Sequence, residues 1–152
     1  MRIVDFLDQD SVIIDLKASD KKLAIVELVK VLKNKKKIEN IDEVVDVILE
    51  REKLGSTGIG QRVAIPHGKI NSLKEQIGVL GISQKGIEFN SLDGEPVHII
   101  FLLIGSVEMT SQHLKALSRV SRLFKDKFLR QAIKNATTAE EVIKVIEQED
   151  NY

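Results

Sequence analysis

The run VHIIFLLI at residues 97–104 restricts the fold more than any other part of the sequence, because nearly all of it must be buried. Seven of its eight side chains are apolar, so neither face of a strand built from it can be left to water. The run is also much shorter than the roughly 20 apolar residues needed to cross a bilayer. We therefore expect a central strand with other elements of the chain packed against both faces.

Two helices with local capping signals precede this strand. Ser19 or Asp20 can cap the first helix. Its apolar positions recur near helical spacing, at Leu23, Val26, Val29 and Leu32. Asn40 and Glu43 form a capping-box pattern for the second helix, which we expect to run to about Lys53. The apolar stripes predict surface helices that each bury one face.

Three further helices are expected after the central strand. Thr110 or Ser111 can cap the first of them, and a short helix follows around residues 128–134. Thr138 and Glu141 form a capping-box pattern for the last helix.

Shorter runs rich in β-branched residues predict more strands, at residues 11–16, 63–65 and 77–83. A turn-like stretch at residues 84–86 ends the last of these. Helices and strands are mixed along the chain without internal repeats, and 152 residues can bury about 70% of their unfolded surface in one core. We expect a single α/β domain over residues 1–152.

Charge and composition argue against several classes of partner. Lys+Arg and Asp+Glu both number 23, so no net positive field exists to hold nucleic acid or an anionic membrane. The lysine-rich residues 33–37 are interpreted as a solvated helix end rather than a phosphate patch, since cations suit a helix C-terminus. The chain has no cysteine and no apolar signal segment. We expect a soluble, cytoplasmic protein that inserts no segment into a membrane.

Residues 51–69, REKLGSTGIGQRVAIPHGK, contain a glycine-rich loop followed by a histidine. Glycines at 55, 58 and 60 allow the backbone N-H groups of the loop to turn toward one point, where they could hold an anion. His67 follows one strand length later, between Pro66 and Gly68. We interpret His67 as a nucleophile that carries a phosphoryl group and the loop as part of the phosphate-binding site.

More familiar motifs do not fit this loop. GSTGIG is GxxGxG rather than the dinucleotide fingerprint GxGxxG, and it lacks the GK[ST] ending of a P-loop. No GxSxG or HExxH motif occurs, so serine hydrolase and zinc protease interpretations have no support. The three histidines are 31 and 15 residues apart, which matches no local metal-ligand motif. We expect no metal and no cofactor.

The other two histidines differ in their settings. His98 lies inside the apolar run, where we interpret it as a packed, hydrogen-bonded core residue. His113 falls in the first turn of a helix, on the face of the buried residues Leu117, Val120 and Phe124. It is either an ordinary half-buried residue or a second imidazole that contacts a phosphate near the helix N-terminus.

Taken together, REKLGSTGIG, VAIPHG, the strand entry DGEPVH and the helix start HLKALSRVSRLF carry a family resemblance. The chain resembles the EIIA component of the bacterial phosphoenolpyruvate-dependent phosphotransferase system, of the fructose/mannitol and nitrogen-regulatory type. The resemblance covers nearly the whole chain and implies a mixed β-sheet with helices packed on both faces. It also implies two protein partners, the phosphocarrier protein HPr and an EIIB domain or protein.

The resemblance assigns roles to three residues. His67, in the IPHG segment, takes a phosphoryl group from phosphorylated HPr and passes it to EIIB. His113, at the head of the HL helix, is the second active-site histidine. Arg51, in the RE pair, is the guanidinium expected to stabilise charge on the phosphoryl oxygens in the loose transition state.

Five more residues enter the predicted site. Ser56, Thr57 and Gly58 are expected to bind the phosphate, the first two through their hydroxyls. Glu52 is a possible member because it adjoins Arg51. Arg62 is another, since it stands where the resembling family usually has a small residue and would add a cation near the site. A solvated surface arginine is the favoured alternative for it.

Two functional classes follow from the resemblance. The first is a relay in phosphoenolpyruvate-dependent sugar uptake, in which the protein feeds EIIB. The second is a regulatory protein of the nitrogen-related type, whose phosphorylation controls its binding to other proteins. A chain that ends at Tyr152 with no EIIB segment, and Lys69 after the HG pair, favours the second slightly. An unphosphorylated paralogue is disfavoured by the intact His67, Arg51 and His113.

Overall fold

Six strands form one sheet in the computed structural model, which describes residues 1–150. They are β1 (Val12–Ile13), β2 (Gly58–Gly60), β3 (Val63–Ala64), β4 (His67–Ile70), β5 (Ile77–Ile87) and β6 (Val97–Ser106). Their order is β1-β5-β6-β3-β2, and β4 also pairs with β6, beyond the end of β3. The central strand predicted from VHIIFLLI is β6, and all ten of its residues are buried.

The sheet is mixed, as the resemblance implied. β6 runs antiparallel to β5 and parallel to both β3 and β4. Val63 lies opposite Ile99 and His67 lies opposite Leu103, so β3 and β4 follow one another along the same edge of β6. The register of β4 therefore decides where His67 stands relative to the rest of the sheet.

In the part of the chain that the structure describes, five α-helices cover the sheet: α1 (Lys21–Asn34), α2 (Ile41–Lys53), α3 (Thr110–Leu123), α4 (Lys127–Asn135) and α5 (Ala139–Glu149). Three predicted caps are confirmed, because side-chain oxygens of Asp20, Asn40 and Thr138 accept from the N-H three residues later. Within residues 1–150, no helix is long and apolar enough to cross a membrane.

Alternate residues of β6 belong to two separate apolar cores. Ile100, Leu102 and Ile104 join the core under α1 and α2. On the other face, Phe101 and Leu103 join the core under α3, α4 and α5. The predicted α/β architecture, with a mixed sheet and helices on both faces, is confirmed.

Several local predictions were wrong in detail. Leu23 is 51% exposed, because α1 buries the neighbouring stripe of Ala24, Ile25, Leu28, Val29 and Leu32. The N-cap of α3 is Met109 rather than Thr110 or Ser111. The hydroxyl of Thr110 instead accepts from Lys69 Nζ at 3.1 Å.

The strands differ too. Of the strand predicted at residues 11–16, only Val12–Ile13 is a strand, β1. The stretch at residues 84–86, expected to be a turn, is part of β5, which continues to Ile87. β2 and β4 were not predicted as strands. The last two residues of the domain predicted over residues 1–152 lie outside the described residues.

Candidate functional site

His67 is the first residue of β4, whereas the sequence placed it just after a short strand at residues 63–65. Its backbone is held by the central strand, because Leu103 N donates to Pro66 O at 3.0 Å and His67 itself pairs with Leu103. The side chain is half-buried. A rigid parallel pairing with the central strand thus fixes the imidazole at the edge of the fold.

One backbone carbonyl sets the tautomer of His67. Nδ1 lies 2.8 Å from the carbonyl oxygen of Ile65, which can only accept, so Nδ1 carries the proton and donates it. Nε2 therefore has the lone pair. It bonds to no group among the described residues and is not among their buried unpaired atoms, so it reaches solvent. The free nitrogen is the one that can react.

Burial lowers the pKa of His67, the Arg51 guanidinium lowers it further, and the hydrogen bond to Ile65 opposes the shift. The imidazole is consequently neutral near pH 7, as a nucleophile must be.

His113 lies in the first turn of α3 and is 4% exposed. Its ring centre is 5.8 Å from that of His67, and the two ring planes are inclined at 49°. Burial lowers the pKa of His113 to about 4, and the charges of His67 and Lys69 add to the shift. The two histidines predicted to act together are neighbours, although they lie 46 positions apart in the chain.

A cleft of about 340 Å³ opens beside His67. It is lined by Arg51, Ser56, Thr57, Ile59, Ile65, His67, Leu117, Ser118 and Ser121. The end of α2, the glycine loop, the approach to β4 and one face of α3 therefore meet at one place. Arg51, Ser56 and Thr57, all predicted from sequence, are brought together with His67 in this cleft.

Arg51 and Glu52 both bond to the loop that follows α2. Arg51 Nη1 donates to Gly55 O at 2.9 Å. Glu52 is buried, accepts from Thr57 N at 3.2 Å and from the Thr57 hydroxyl, and pairs with Lys21 Nζ at 3.0 Å. Glu52 thus organises the loop from below, while Arg51 stands at the surface of the cleft.

The two loop hydroxyls are already used as donors. Ser56 Oγ donates to the carbonyl of Phe89 and accepts from Gly58 N at 3.0 Å, while the Thr57 hydroxyl donates to Glu52. Gly58 packs so closely that a Cβ there would clash with Ser91 Oγ. In this structure the three residues shape the loop, and the hydroxyl protons of Ser56 and Thr57 do not point into open space.

Arg62 lies away from this cleft. It precedes Val63, which pairs with Ile99, whereas His67 pairs with Leu103 four residues further along β6. Arg62 lines a different cleft, with His98 and three cations of α4 at Lys127, Arg130 and Lys134. His98 is buried, and its Nδ1 donates to the carbonyl of Ser83 at 2.8 Å.

Several residues of the site were not predicted from sequence. Gln76 Oε1 accepts from His113 Nδ1 at 3.0 Å, yet it lies in a connection that carries no motif. Ser121 could have been found, because it lies eight residues, about two helical turns, after His113 on α3. Within residues 1–150, no three His, Asp or Glu side chains lie close enough to hold a metal ion.

Comparison with known proteins gives one family. Residues 5–149 match the family described as "Phosphoenolpyruvate-dependent sugar phosphotransferase system, EIIA 2". A nitrogen regulatory protein of Bradyrhizobium diazoefficiens is 35% identical over 146 residues, covering 96% of this chain and 95% of that protein. The fructose-specific EIIABC component of Bacillus subtilis is 33% identical over 150 residues, which are 99% of this chain but only 24% of that longer protein.

A solved structure agrees with these sequence matches. The nitrogen regulatory protein IIA-Ntr of Neisseria meningitidis superposes with a TM-score of 0.88 at 32% identity. The superposition covers 95% of this chain and 98% of that one. The similarity therefore extends over the whole arrangement of sheet and helices.

Proposed function

Because the chain belongs to the EIIA 2 family of the phosphoenolpyruvate-dependent sugar phosphotransferase system, we propose that it carries a phosphoryl group on Nε2 of His67. The observation that carries this proposal is the hydrogen bond from Nδ1 to the Ile65 carbonyl, which leaves one unprotonated nitrogen at the cleft. The donor is phosphorylated HPr, and the acceptor is an EIIB domain or protein. The relative named as an EIIABC component supports EIIB as the acceptor.

The chemistry requires no proton movement at His67. The Nε2 lone pair forms the new bond to phosphorus as the bond between phosphorus and the donor breaks, while Nδ1 keeps its proton. The ring becomes cationic as it accepts the phosphoryl group, and the Ile65 carbonyl stabilises the Nδ1-H of that cation. Transfer to EIIB is the same step in reverse, with a different partner.

His67→Ala tests the nucleophile. We expect no phosphorylation after incubation with phosphoenolpyruvate, Enzyme I and HPr, measured as a missing mass increase and a missing acid-labile phosphate. His98→Ala is the matched control, since this ring bonds to Ser83 in another part of the sheet. A phosphorylated His67→Ala protein would refute the assignment.

Arg51 is expected to stabilise the phosphoryl oxygens during transfer. One nitrogen of its guanidinium bonds to Gly55, and the side chain lines the cleft. We expect Arg51→Ala to slow single-turnover phosphorylation by roughly 100-fold, as when an oxyanion donor is removed. Arg51→Lys keeps the charge without the planar fork, so an intermediate rate is expected. An unchanged rate in Arg51→Ala would exclude Arg51 from the reaction.

A regulatory role is the second candidate. It is favoured by the nitrogen regulatory protein that matches this chain over 95% of its own length, and by the solved IIA-Ntr structure. Mixing the phosphorylated protein with a purified EIIB separates the two roles. Rapid loss of phosphate to EIIB supports uptake. A phosphorylated protein that EIIB does not discharge supports regulation.

A further inference from the structure

Only one end of the Gln76 side-chain amide, its oxygen, is hydrogen-bonded. The residue lies immediately before β5 and its Oε1 is 3.0 Å from His113 Nδ1. Because an amide oxygen only accepts, Nδ1 of His113 must hold the proton. The other arm, Gln76 Nε2, is buried and has no hydrogen-bond partner among residues 1–150. A buried amide donor without an acceptor is unfavourable and therefore needs an explanation.

Gly105 of β6 fixes this pair in place. A Cβ added at Gly105 would lie 2.5 Å from His113 Nδ1 and 2.6 Å from Gln76 Nε2. Both side chains are therefore seated directly on the backbone of the central strand, at a point where only glycine leaves room.

The amide has a second orientation that keeps the contact. A half-turn of the Gln76 amide exchanges Oε1 and Nε2, so that Nε2 would donate to Nδ1 of His113. His113 would then hold its single proton on Nε2. That nitrogen has no partner among the described residues and is not one of their buried unpaired atoms, so it reaches solvent. The second orientation thus turns His113 into a donor at the site.

We propose that Gln76 is a positioning residue that selects the tautomer of His113, holding Nδ1-H in the free protein and rotating to support Nε2-H when His67 carries a phosphoryl group. The proposal rests on the function proposed above. An anionic phosphoryl group needs donors, and the His113 ring lies 5.8 Å from that of His67. The proton leaves one nitrogen and arrives at the other through solvent, so the ring stays neutral throughout.

Proton uptake by His113 is the competing way to obtain an Nε2 donor. It is disfavoured in the free protein, because burial, with smaller contributions from His67 and Lys69, lowers the pKa of His113 to about 4. An imidazolium is therefore scarce at neutral pH. A change of tautomer through Gln76 avoids placing a positive charge on the buried His113 ring.

The first test measures the tautomer without any phosphoryl transfer. The 15N shifts of the His113 ring distinguish protonated from unprotonated nitrogens. We expect a protonated Nδ1 in the natural protein and a substantial shift toward protonated Nε2 in Gln76→Leu, which removes the acceptor. Gln84→Leu is the matched control, since Gln84 bonds to Lys134 O and is exposed. An Nδ1-H fraction unchanged in Gln76→Leu would overturn the proposal.

The second test uses Gln76→Glu, whose carboxylate accepts in either orientation and so cannot support Nε2-H on a neutral ring. We expect phosphoryl transfer slowed about tenfold at pH 8 and restored toward the natural rate near pH 6, where the carboxylate favours a doubly protonated His113. A pH profile identical to that of the natural protein would overturn the proposal. If the natural protein is not phosphorylated at all, the function proposed above fails, while the ring shifts still decide the role of Gln76.

Discussion

At His67, a backbone carbonyl two residues earlier decides which nitrogen can react. The Ile65 oxygen holds Nδ1-H at 2.8 Å, and burial keeps the ring neutral. At His113, the side-chain amide of Gln76 makes the corresponding hydrogen bond with Nδ1. The first ring is therefore fixed in one tautomer by the main chain, whereas the second depends on a group that can rotate.

Burial of His113 makes the stability of the fold depend on pH. The pKa of this ring falls from 6.5 to about 4 on folding, mainly through burial, so the unfolded chain binds the proton more tightly. The stabilisation is fully present above about pH 6.5 and is lost as the pH falls toward 4. The loss is at most about 3 kcal/mol, reduced by the solvent that reaches the ring.

Urea unfolding over this pH range checks the prediction. We expect the free energy of unfolding to decline less steeply between pH 6.5 and 4 in His113→Gln than in the natural protein, because glutamine does not titrate. His98→Gln is the control for replacing a buried histidine elsewhere in the sheet. Equal slopes for His113→Gln and the natural protein would contradict a lowered pKa.

The turn between β2 and β3 has two non-glycine residues in a backbone conformation that usually requires glycine. Gln61 and Arg62 have φ values of 56° and 70°, in the left-handed region that favours glycine. Two side-chain contacts hold Gln61 in the turn: Gln61 N donates to Asp93 Oδ2 at 2.9 Å, and Arg130 Nη1 donates to Gln61 Oε1 at 3.0 Å. Tertiary contacts thus stabilise a turn that its own sequence disfavours.

Arg62→Gly should relieve this turn. We expect the free energy of unfolding to rise by about 1 kcal/mol, because glycine adopts a positive φ without a Cβ clash. Arg62→Ala removes the same side chain but keeps the Cβ, so its stability should not rise. Chemical unfolding of both variants makes the comparison, and a gain confined to Arg62→Ala would contradict the backbone explanation.

The helices were easier to predict than the strands, for a physical reason. The caps at Asp20, Asn40 and Thr138 are satisfied by groups three residues away, so the sequence nearby contains the whole signal. β2 and β4 have three and four residues, and β4 is stabilised by pairing with β6, more than 30 positions later. No local pattern can reveal such a pairing.

The same distinction applies within the site. His67, Arg51 and the glycine loop lie in one continuous segment, so they were predicted together, and the structure places them around one cleft. His113 was found from its place on a helix and from the family resemblance. Gln76 was missed because its role comes from a contact across 37 positions and from the space that Gly105 leaves on the central strand.

For the molecule as a whole, one buried carboxylate connects the beginning of the described chain to its end. Asp150 Oδ1 accepts from Arg119 Nε at 2.6 Å, and Asp150 Oδ2 accepts from Ile3 N, also at 2.6 Å. Asp150 and Arg119 are both largely buried. The carboxylate of Asp150, the residue after α5, therefore holds both the backbone at Ile3 and the Arg119 side chain of α3.

Asp150→Ala should destabilise the fold by about 3 to 5 kcal/mol, because it leaves the Arg119 charge buried without a partner. Thermal and chemical unfolding measure the loss. Changing Arg119→Met together with Asp150→Leu removes both charges, so it should recover a large part of the stability. A single variant as stable as the natural protein would mean that the pair contributes nothing.

The position of the Asp150 carboxylate has a geometric consequence for flanking segments. Since residues 3 and 150 meet at one carboxylate, any polypeptide joined before the first turn and any joined after the last helix would leave the surface side by side. A short linker between these two points would close the backbone into a ring without stretching it. Opening a loop elsewhere would then give a circularly permuted protein that keeps the contacts around His67.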